Sequence, residues 1–239
     1  MTMLHGPDSV LLPRASDQFE VLHRMVAAHS TANSIVLDVG AGCGHQDYAG
    51  QLKPVVGHMV GVDPSPRILA NHRLDERFQS TLEEFAPTHR HHFDILVVSY
   101  VVEHVSSPLR FLVAMRECLK PGGSAFILTP HMFHYFGASA FVARRLHIDE
   151  WVVRRIRDHA TLDDHHFRLQ YRMNSRGRLT RLARRADFRT FEFRMLDEPG
   201  IYQPYLPRQL DSIPVAWSRM VHRLDVPGLA GTLLARLEA

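Results

Sequence analysis

The chain has 239 residues, 45% of them apolar, which suits one α/β domain with or without a cap and argues against wholesale disorder. Its formal charge is only +3, and acids are interspersed among the arginines, so the basic stretches favour solvated helix faces over a nucleic-acid or membrane surface. Cys43 and Cys118 are far apart and lack metal-type spacing, and residues 1–13 lack a signal-peptide pattern. We therefore expect a reduced, cytoplasmic compartment.

The first predicted element is a helix over residues 16–29, where apolar residues recur at helical spacing. A predicted strand at 35–39 follows and runs into the turn Gly40-Ala41-Gly42-Cys43-Gly44. Glycine adopts the positive φ angles of a sharp strand-to-helix turn and, having no Cβ, lets a ligand approach the backbone. The turn therefore predicts a ligand-binding loop.

The residues around this turn distinguish two classes of ligand. Dinucleotide-binding folds use G-x-G-x-x-G to hold a pyrophosphate, whereas His45 stands at the third glycine position here. Asp38, two residues before Gly40, would repel a pyrophosphate and attract a cation. S-adenosylmethionine carries an ammonium and a sulfonium and no phosphate, so the sequence favours it over NAD(P).

The rest of the chain continues an α/β pattern. Strands are predicted at 59–63, 77–79, 93–99, 124–129 and 188–196, helices at 67–75, 109–118 and 175–186, and a tight turn at 119–123. Asp63 ends the second strand, and its two oxygens can accept both hydroxyls of a ribose.

Four blocks resemble the class I S-adenosylmethionine-dependent methyltransferases in the right order. They are the 35–44 stretch, which resembles motif I, the Phe93-Asp94 strand, the block Glu103-His104-Val105, and the sequence Leu119-Lys120-Pro121-Gly122-Gly123. The resemblance covers about residues 30–130. It implies an α/β fold: a Rossmann-like class I methyltransferase sheet with helices on both faces, a cap inserted after strand five, and a final antiparallel hairpin, for which Ile201–Leu206 is the candidate second strand.

The resemblance also implies a division of the chain and a set of cofactor contacts. The expected segments are 1–30 (N-terminal helical lid), 31–130 (S-adenosylmethionine-binding core), 131–173 (substrate cap insertion) and 174–239 (C-terminal part of the core fold). The expected contacts to S-adenosylmethionine, or to its product S-adenosylhomocysteine, are Asp38, Gly40, Ala41, Gly42, Asp63, Pro64, Thr81, Leu82, Ser99 and Tyr100.

The cap is expected to choose the acceptor. It is rich in aromatic residues and hangs from strand five, over the carboxyl ends of the strands where ligands of open α/β sheets bind. Aromatic walls suit an apolar or aromatic small molecule and exclude water. The basic, amphipathic stretch 136–157 also allows an alternative, peripheral contact with a membrane.

A hydroxyl acceptor is helped by a general base with a pKa near the working pH, which favours histidine. The candidates are His131 and His134 after strand five, and His104, which belongs to the family-wide block and is ranked behind them for that reason. In the ubiquinone-pathway O-methyltransferases, which the Glu103-His104 block also resembles, an extra acid helps to hold a divalent metal. Tyr100 stands at that place, so no metal is expected.

The sequence thus predicts an S-adenosylmethionine-dependent methyltransferase acting on a small molecule, at oxygen, in secondary metabolism. The alternative within enzymes is a methyltransferase of a quinone or lipid-like acceptor at a membrane surface. The alternative from another class is a non-catalytic S-adenosylmethionine-binding scaffold. Strand four ends in Ser99-Tyr100-Val101-Val102 and not in the block that orients a base amine, so nucleic acid is not expected as a partner.

Overall fold

The chain forms an α/β architecture in a computed structural model that describes residues 10–14, 16–44, 51–135, 169–201, 210 and 212–239. The strands of this part are β1 (Val10–Leu11), β2 (Ile35–Val39), β3 (His58–Asp63), β4 (Glu76–Gln79), β5 (Phe93–Ser99), β6 (Leu119–Pro130), β7 (Thr190–Leu196) and β8 (Thr232–Glu238). Its α-helices are α1 (Gln18–Ala28), α2 (Leu82–Phe85), α3 (Pro108–Cys118), α4 (Arg176–Arg185) and α5 (Ser212–Leu224).

The strands form one sheet in the order β1-β7-β8-β6-β5-β2-β3-β4. Every neighbouring pair is parallel except those that β8 makes with β6 and β7. From β2 the chain first builds outward through β3 and β4, and then returns to place β5 on the other side of β2. The carboxyl end of β2 is therefore the topological switch point, where open α/β sheets bind their ligands.

Helices cover both faces of the sheet because the central strands are apolar on both sides. Val36 and Leu37 in β2 are fully buried, yet they belong to different core clusters, as successive residues of a strand point to opposite faces. On one side Leu22 of α1 joins the core of Val36, and on the other side Leu112 of α3 joins the core of Leu37. The predicted Rossmann-like fold class is confirmed.

The helix predicted at 67–75 is wrong. A 3₁₀ helix at Pro66–Ala70 takes its place, and the chain leaves helical geometry at Asn71, whose φ and ψ are −80° and 86°. The Asn71 side chain hydrogen-bonds the carbonyl of Ala41 in the glycine turn. Asparagine favours such bonds to nearby backbone over continuing a helix, and here the bond reaches a distant loop.

The tight turn predicted at 119–123 is wrong as well. β6 already begins at Leu119, which pairs with Phe93, and the register with β5 then shifts between Phe93 and Ile95. Because β6 spans Leu119–Pro130 and pairs from its first residue, this stretch is an irregular strand start, in which Gly122 adopts a left-handed φ of 79°.

The final antiparallel hairpin is present, but its second strand is not at the candidate position. β8, at the carboxyl terminus, pairs along its whole length with β7 and inserts between β7 and β6. Ile201 ends a 3₁₀ helix at Pro199–Ile201, and residues 202–206 of the candidate lie outside the described residues. The sequence from Tyr202 to Ala239 contains several prolines and stretches of helical pattern. The short apolar run of β8 is therefore not predicted as a strand.

Residues 136–168, most of the predicted cap, also lie outside the described residues, so the four-segment division stays a prediction. Among the helices that the structure describes, none combines the length and the apolar character needed to cross a bilayer.

The central position of β8 predicts a large effect of Leu234. This side chain is fully buried between β6 and β7, where it pairs with Leu128 and Arg194. We expect Leu234→Ala to lower the free energy of unfolding by about 2–5 kcal/mol, through lost burial and a residual cavity. Leu224→Ala is the matched control, because Leu224 is 61% exposed and its truncation should change stability by less than about 0.5 kcal/mol. Urea unfolding of both variants with equal midpoints would contradict this placement of β8.

Candidate active site

The glycine turn leaves β2 at the switch point with three residues at positive φ: Gly40 at 75°, Gly42 at 49° and Gly44 at 79°. A Cβ on Gly40 would lie 2.3 Å from Cγ2 of Val101, so the loop after β5 closes directly over this glycine. At Gly42, by contrast, no heavy atom lies within 4 Å of the position of a Cβ. The turn is therefore tightly held at its start and open to a ligand in its middle.

Asp63, the predicted ribose-binding acid, lies at the end of β3 and faces this turn. One carboxylate oxygen, Oδ2, accepts the backbone N–H of Gly42 at 3.0 Å, and the other, Oδ1, accepts that of Ser65 at 2.7 Å. Two backbone donors thus fix the plane of a side chain that is only 8% exposed. Each carboxylate oxygen can accept a second hydrogen bond, so the pair can still receive the two hydroxyls of a ribose.

Asp38 is the second acid beneath the turn, in β2. Burial, together with the negative charge of Asp63, raises its pKa to about 7. Among the described residues no cation or hydrogen-bond donor offsets this burial. A carboxylate in this position fits a ligand that brings its own positive charge, as the ammonium of S-adenosylmethionine does, and it does not fit a pyrophosphate.

Two of the predicted cofactor contacts, Thr81 and Leu82, already interact with other residues of the chain. Thr81 precedes α2, and its N–H and hydroxyl both donate to the carboxylate of Glu84. Leu82 is 3% exposed and belongs to the core beneath the sheet. Pro64 is exposed directly after Asp63. An adenine contact by Thr81 and Leu82, and a cofactor contact by Pro64, stay predictions.

Ser99 and Tyr100 follow at the carboxyl end of β5, beside the glycine turn. Tyr100 adopts a left-handed φ of 55°, and its hydroxyl donates to Oε1 of Gln18 at 2.7 Å. The hydroxyl of Thr232 at the start of β8 donates to the same oxygen at 3.1 Å. Gln18 therefore attaches the first turn of α1 to two strands at this edge, a role that sequence patterns did not reveal.

A chain of buried polar side chains lies nearby and includes Thr129 of β6. The Thr129 hydroxyl donates to Oε2 of Glu103 at 3.0 Å and accepts a hydrogen bond from the amide of Asn174. The Glu103 carbonyl accepts from Tyr171 at 3.2 Å, and the Asn174 carbonyl accepts from Met132 at 2.9 Å. The residues that flank 136–168 on either side are thus bonded together at the carboxyl edge of the sheet. Burial raises the pKa of Glu103 to about 7, against the opposing effect of its hydrogen bonds.

The three candidate bases differ in accessibility. His131 and His134 are 3% and 2% exposed, and burial lowers their pKa to about 4 and about 3. His134 lies 5.8 Å from the ring of Trp217, and its Nε2 is 3.7 Å from Oδ1 of Asp197, too far for a hydrogen bond. With a pKa of about 3, the imidazole of His134 is neutral at neutral pH, so its contact with Asp197 is not an ion pair there. His104, in the loop after β5, is only partly buried.

The arrangement does not assemble a metal site among the described residues, where no group of three histidine, cysteine, aspartate or glutamate side chains converges. Tyr100, at the place of the extra acid, is bonded to Gln18. Residues 163–166, the Asp-Asp-His-His run, lie outside the described part of the chain. The absence of a metal stays a prediction.

Comparisons with known proteins identify the family to which this chain belongs. A family model described as a methyltransferase domain matches residues 14–192, well over half of the chain. The mitochondrial ubiquinone biosynthesis O-methyltransferase of Mus musculus is 33% identical over 141 residues, which are 53% of this chain. The match spans only 37% of that relative's own length.

Solved structures share the fold. A SAM-dependent methyltransferase from Archaeoglobus fulgidus superposes with a TM-score of 0.59 at 14% identity, covering 93% of this chain and 95% of that one. Haemonchus contortus phosphoethanolamine N-methyltransferase 2, in complex with phosphomonomethylethanolamine and S-adenosylhomocysteine, has a TM-score of 0.57 at 13% identity, covering 92% of this chain and 52% of that one. The resemblance that motif I indicated is confirmed: this chain belongs to the methyltransferase-domain family, with the sheet of the S-adenosylmethionine-dependent methyltransferases.

Proposed function

We propose that this protein transfers the methyl group of S-adenosylmethionine to a hydroxyl of a small apolar or aromatic molecule, in secondary metabolism. The observation that carries the proposal is the pair of acids at the glycine turn. Asp63 offers two oriented oxygens to a ribose, and Asp38 offers a buried carboxylate to an ammonium. When bound, S-adenosylmethionine supplies a methyl group already activated by its sulfonium.

With an activated donor, the protein must align the acceptor and exclude water. Two described features support a cap that does this. The chain segments on either side of 136–168 are bonded to each other through Glu103, Thr129 and Asn174, so an insertion between them is anchored beside the turn. Tyr135 and Trp217, with ring centroids 5.3 Å apart, provide aromatic surface next to this anchor.

Oxygen as the methylated atom is supported by similarity to the ubiquinone biosynthesis O-methyltransferase of Mus musculus. The same relative favours one alternative, a quinone or lipid-like acceptor at a membrane surface. The stretch that would contact the membrane, 136–157, lies outside the described residues. The alternative of another class is a scaffold that binds S-adenosylmethionine without catalysis.

An acceptor panel separates these three possibilities. Purified protein is incubated with methyl-labelled S-adenosylmethionine and with phenols, catechols and amines, each with and without a long alkyl tail. We expect label on the phenols and catechols irrespective of the tail, because an aromatic pocket recognises the ring. Transfer only to tailed acceptors would favour the lipid-like alternative. Binding of S-adenosylhomocysteine without transfer to any acceptor would favour the scaffold.

Transfer to a hydroxyl is helped by a general base that accepts its proton. We propose His104 for this role, since it is the most accessible of the three candidates, whereas a pKa of about 4 or 3 makes His131 and His134 weak bases. His104→Gln should lower kcat for a phenol by about 100- to 10,000-fold and leave the affinity for S-adenosylhomocysteine unchanged. His92→Gln, at an exposed position directly before β5 and so at the opposite edge of the sheet, is the control. A loss of kcat confined to His131→Gln or His134→Gln would assign the base to that residue instead.

The raised pKa of Asp38 predicts that cofactor binding depends on pH. In the free protein Asp38 binds a proton below about pH 7, and a neighbouring ammonium in the complex would favour its ionised form. Binding then releases a proton, so the affinity for S-adenosylhomocysteine should fall as the pH drops below about 7, by at most about tenfold per pH unit. Calorimetry in buffers of different ionisation enthalpy measures the proton.

Two controls isolate this effect. Asp38→Asn removes the titrating group and should flatten the pH profile. The ligand 5′-methylthioadenosine keeps the nucleoside but lacks the ammonium, so its affinity for the unmodified protein should vary less with pH. An unchanged slope in Asp38→Asn would place the ammonium elsewhere.

A further inference from the structure

One peptide unit of the glycine turn, between Ala41 and Gly42, is held at both ends by side chains from elsewhere in the chain. Its carbonyl oxygen accepts a hydrogen bond from Nδ2 of Asn71 at 3.1 Å. Its N–H donates to Oδ2 of Asp63 at 3.0 Å. Because a peptide unit is planar, fixing the carbonyl also fixes the direction of the N–H on the opposite side.

Both the nitrogen and the oxygen of the Asn71 side-chain amide have hydrogen-bond partners. It is 1% exposed, and Nδ2 lies 3.4 Å from the carbonyl oxygen of Gly42 in addition to its bond with Ala41. Its oxygen accepts the backbone N–H of Arg73 at 3.3 Å. This orientation satisfies a donor and an acceptor at once, which neither an aliphatic nor a carboxylate side chain can do.

Asn71 reaches the turn because Gly44 leaves room for it. A Cβ on Gly44 would lie 2.8 Å from Oδ1 of Asn71. Arg73 adds a second attachment, since its guanidinium donates to the Gly44 carbonyl. The outer side of the turn is thus fixed by the segment that follows the short 3₁₀ helix, while its inner side faces Asp63.

We propose that Asn71 is a positioning residue for cofactor recognition, acting through the Ala41–Gly42 peptide on the carboxylate of Asp63. Gly42 has a φ of 49° and no side chain that would restrict its backbone. The bonds to Asn71 and Asp63 are therefore the main restraints on the orientation of this peptide. A rotation would withdraw the N–H and turn the carbonyl oxygen toward the carboxylate, which repels it and displaces the ribose-binding oxygens. The inference rests on the proposed S-adenosylmethionine site.

The test is a double-mutant cycle between Asn71 and Asp63, read by calorimetry with S-adenosylhomocysteine and with 5′-methylthioadenosine. Asn71→Ala should weaken the binding of both ligands by about tenfold, because both carry the ribose. Asp63→Ala should weaken it by about 10- to 150-fold. In the double variant the losses should fall short of their product, since Asn71 has nothing to orient once the carboxylate is gone. A residue that only stabilised the fold would give independent losses.

Two further variants separate an effect on binding from an effect on folding. Asn71→Asp keeps the shape of the side chain but loses its two donors, so it should also lose affinity. This variant tests the inference if Asn71→Ala folds poorly. The binding stoichiometry reports the folded fraction of each variant. Asn33→Ala, at an exposed asparagine before the amino end of β2, should bind like the unmodified protein. Unchanged affinity in Asn71→Asp, or multiplicative losses in the cycle, would overturn the inference alone. Failure of the unmodified protein to bind S-adenosylhomocysteine would instead overturn the proposed function on which it rests.

Discussion

The hydrogen bond from the Gly42 N–H to Asp63 joins the ends of two neighbouring strands, and the candidate site depends on it. The parallel register of β2 and β3 pairs Val39 with Val62, so the glycine turn and the acid leave the sheet at the same level. A cofactor that spans the turn can then contact both at once. If β3 were shifted by one residue, the carboxylate of Asp63 would point to the other face of the sheet.

Two buried carboxyl groups at this edge, Asp38 and Glu103, have pKa values raised to about 7, and their surroundings assign them different tasks. Asp38 has no compensating partner among the described residues, which leaves it suited to a cationic ligand. Glu103 accepts the Thr129 hydroxyl, and its backbone carbonyl holds Tyr171, so it serves as an anchor for the chain around the predicted cap. Two carboxyl groups with similarly raised pKa values thus differ in their partners: Glu103 has hydrogen bonds within the chain, and Asp38 has none among the described residues.

Tyr100 contributes to the site's surroundings through a hydrogen bond and not through a charge. Its phenol, directly after β5, donates to Gln18. Burial raises the pKa of Tyr100, so it remains a neutral donor. The bond fixes the first turn of α1 beside the glycine turn, and Gln18 also receives the hydroxyl of Thr232. Tyr100 therefore contributes to the assembly of this edge of the sheet as a neutral hydrogen-bond donor.

The sequence by itself determined the parallel core, the glycine turn and its acids, because apolar runs, glycines and a carboxylate at a strand end are local signals. Only the tertiary structure decided which strand completes the sheet, that His131 and His134 are buried, and that Asn71 ends a predicted helix to bond the turn. Each of these depends on residues that are distant along the chain: β7 for β8, Trp217 for His134, and Ala41 for Asn71. Local propensity carries no information about such partners, since the bonds and the desolvation arise only when the sheet brings them together.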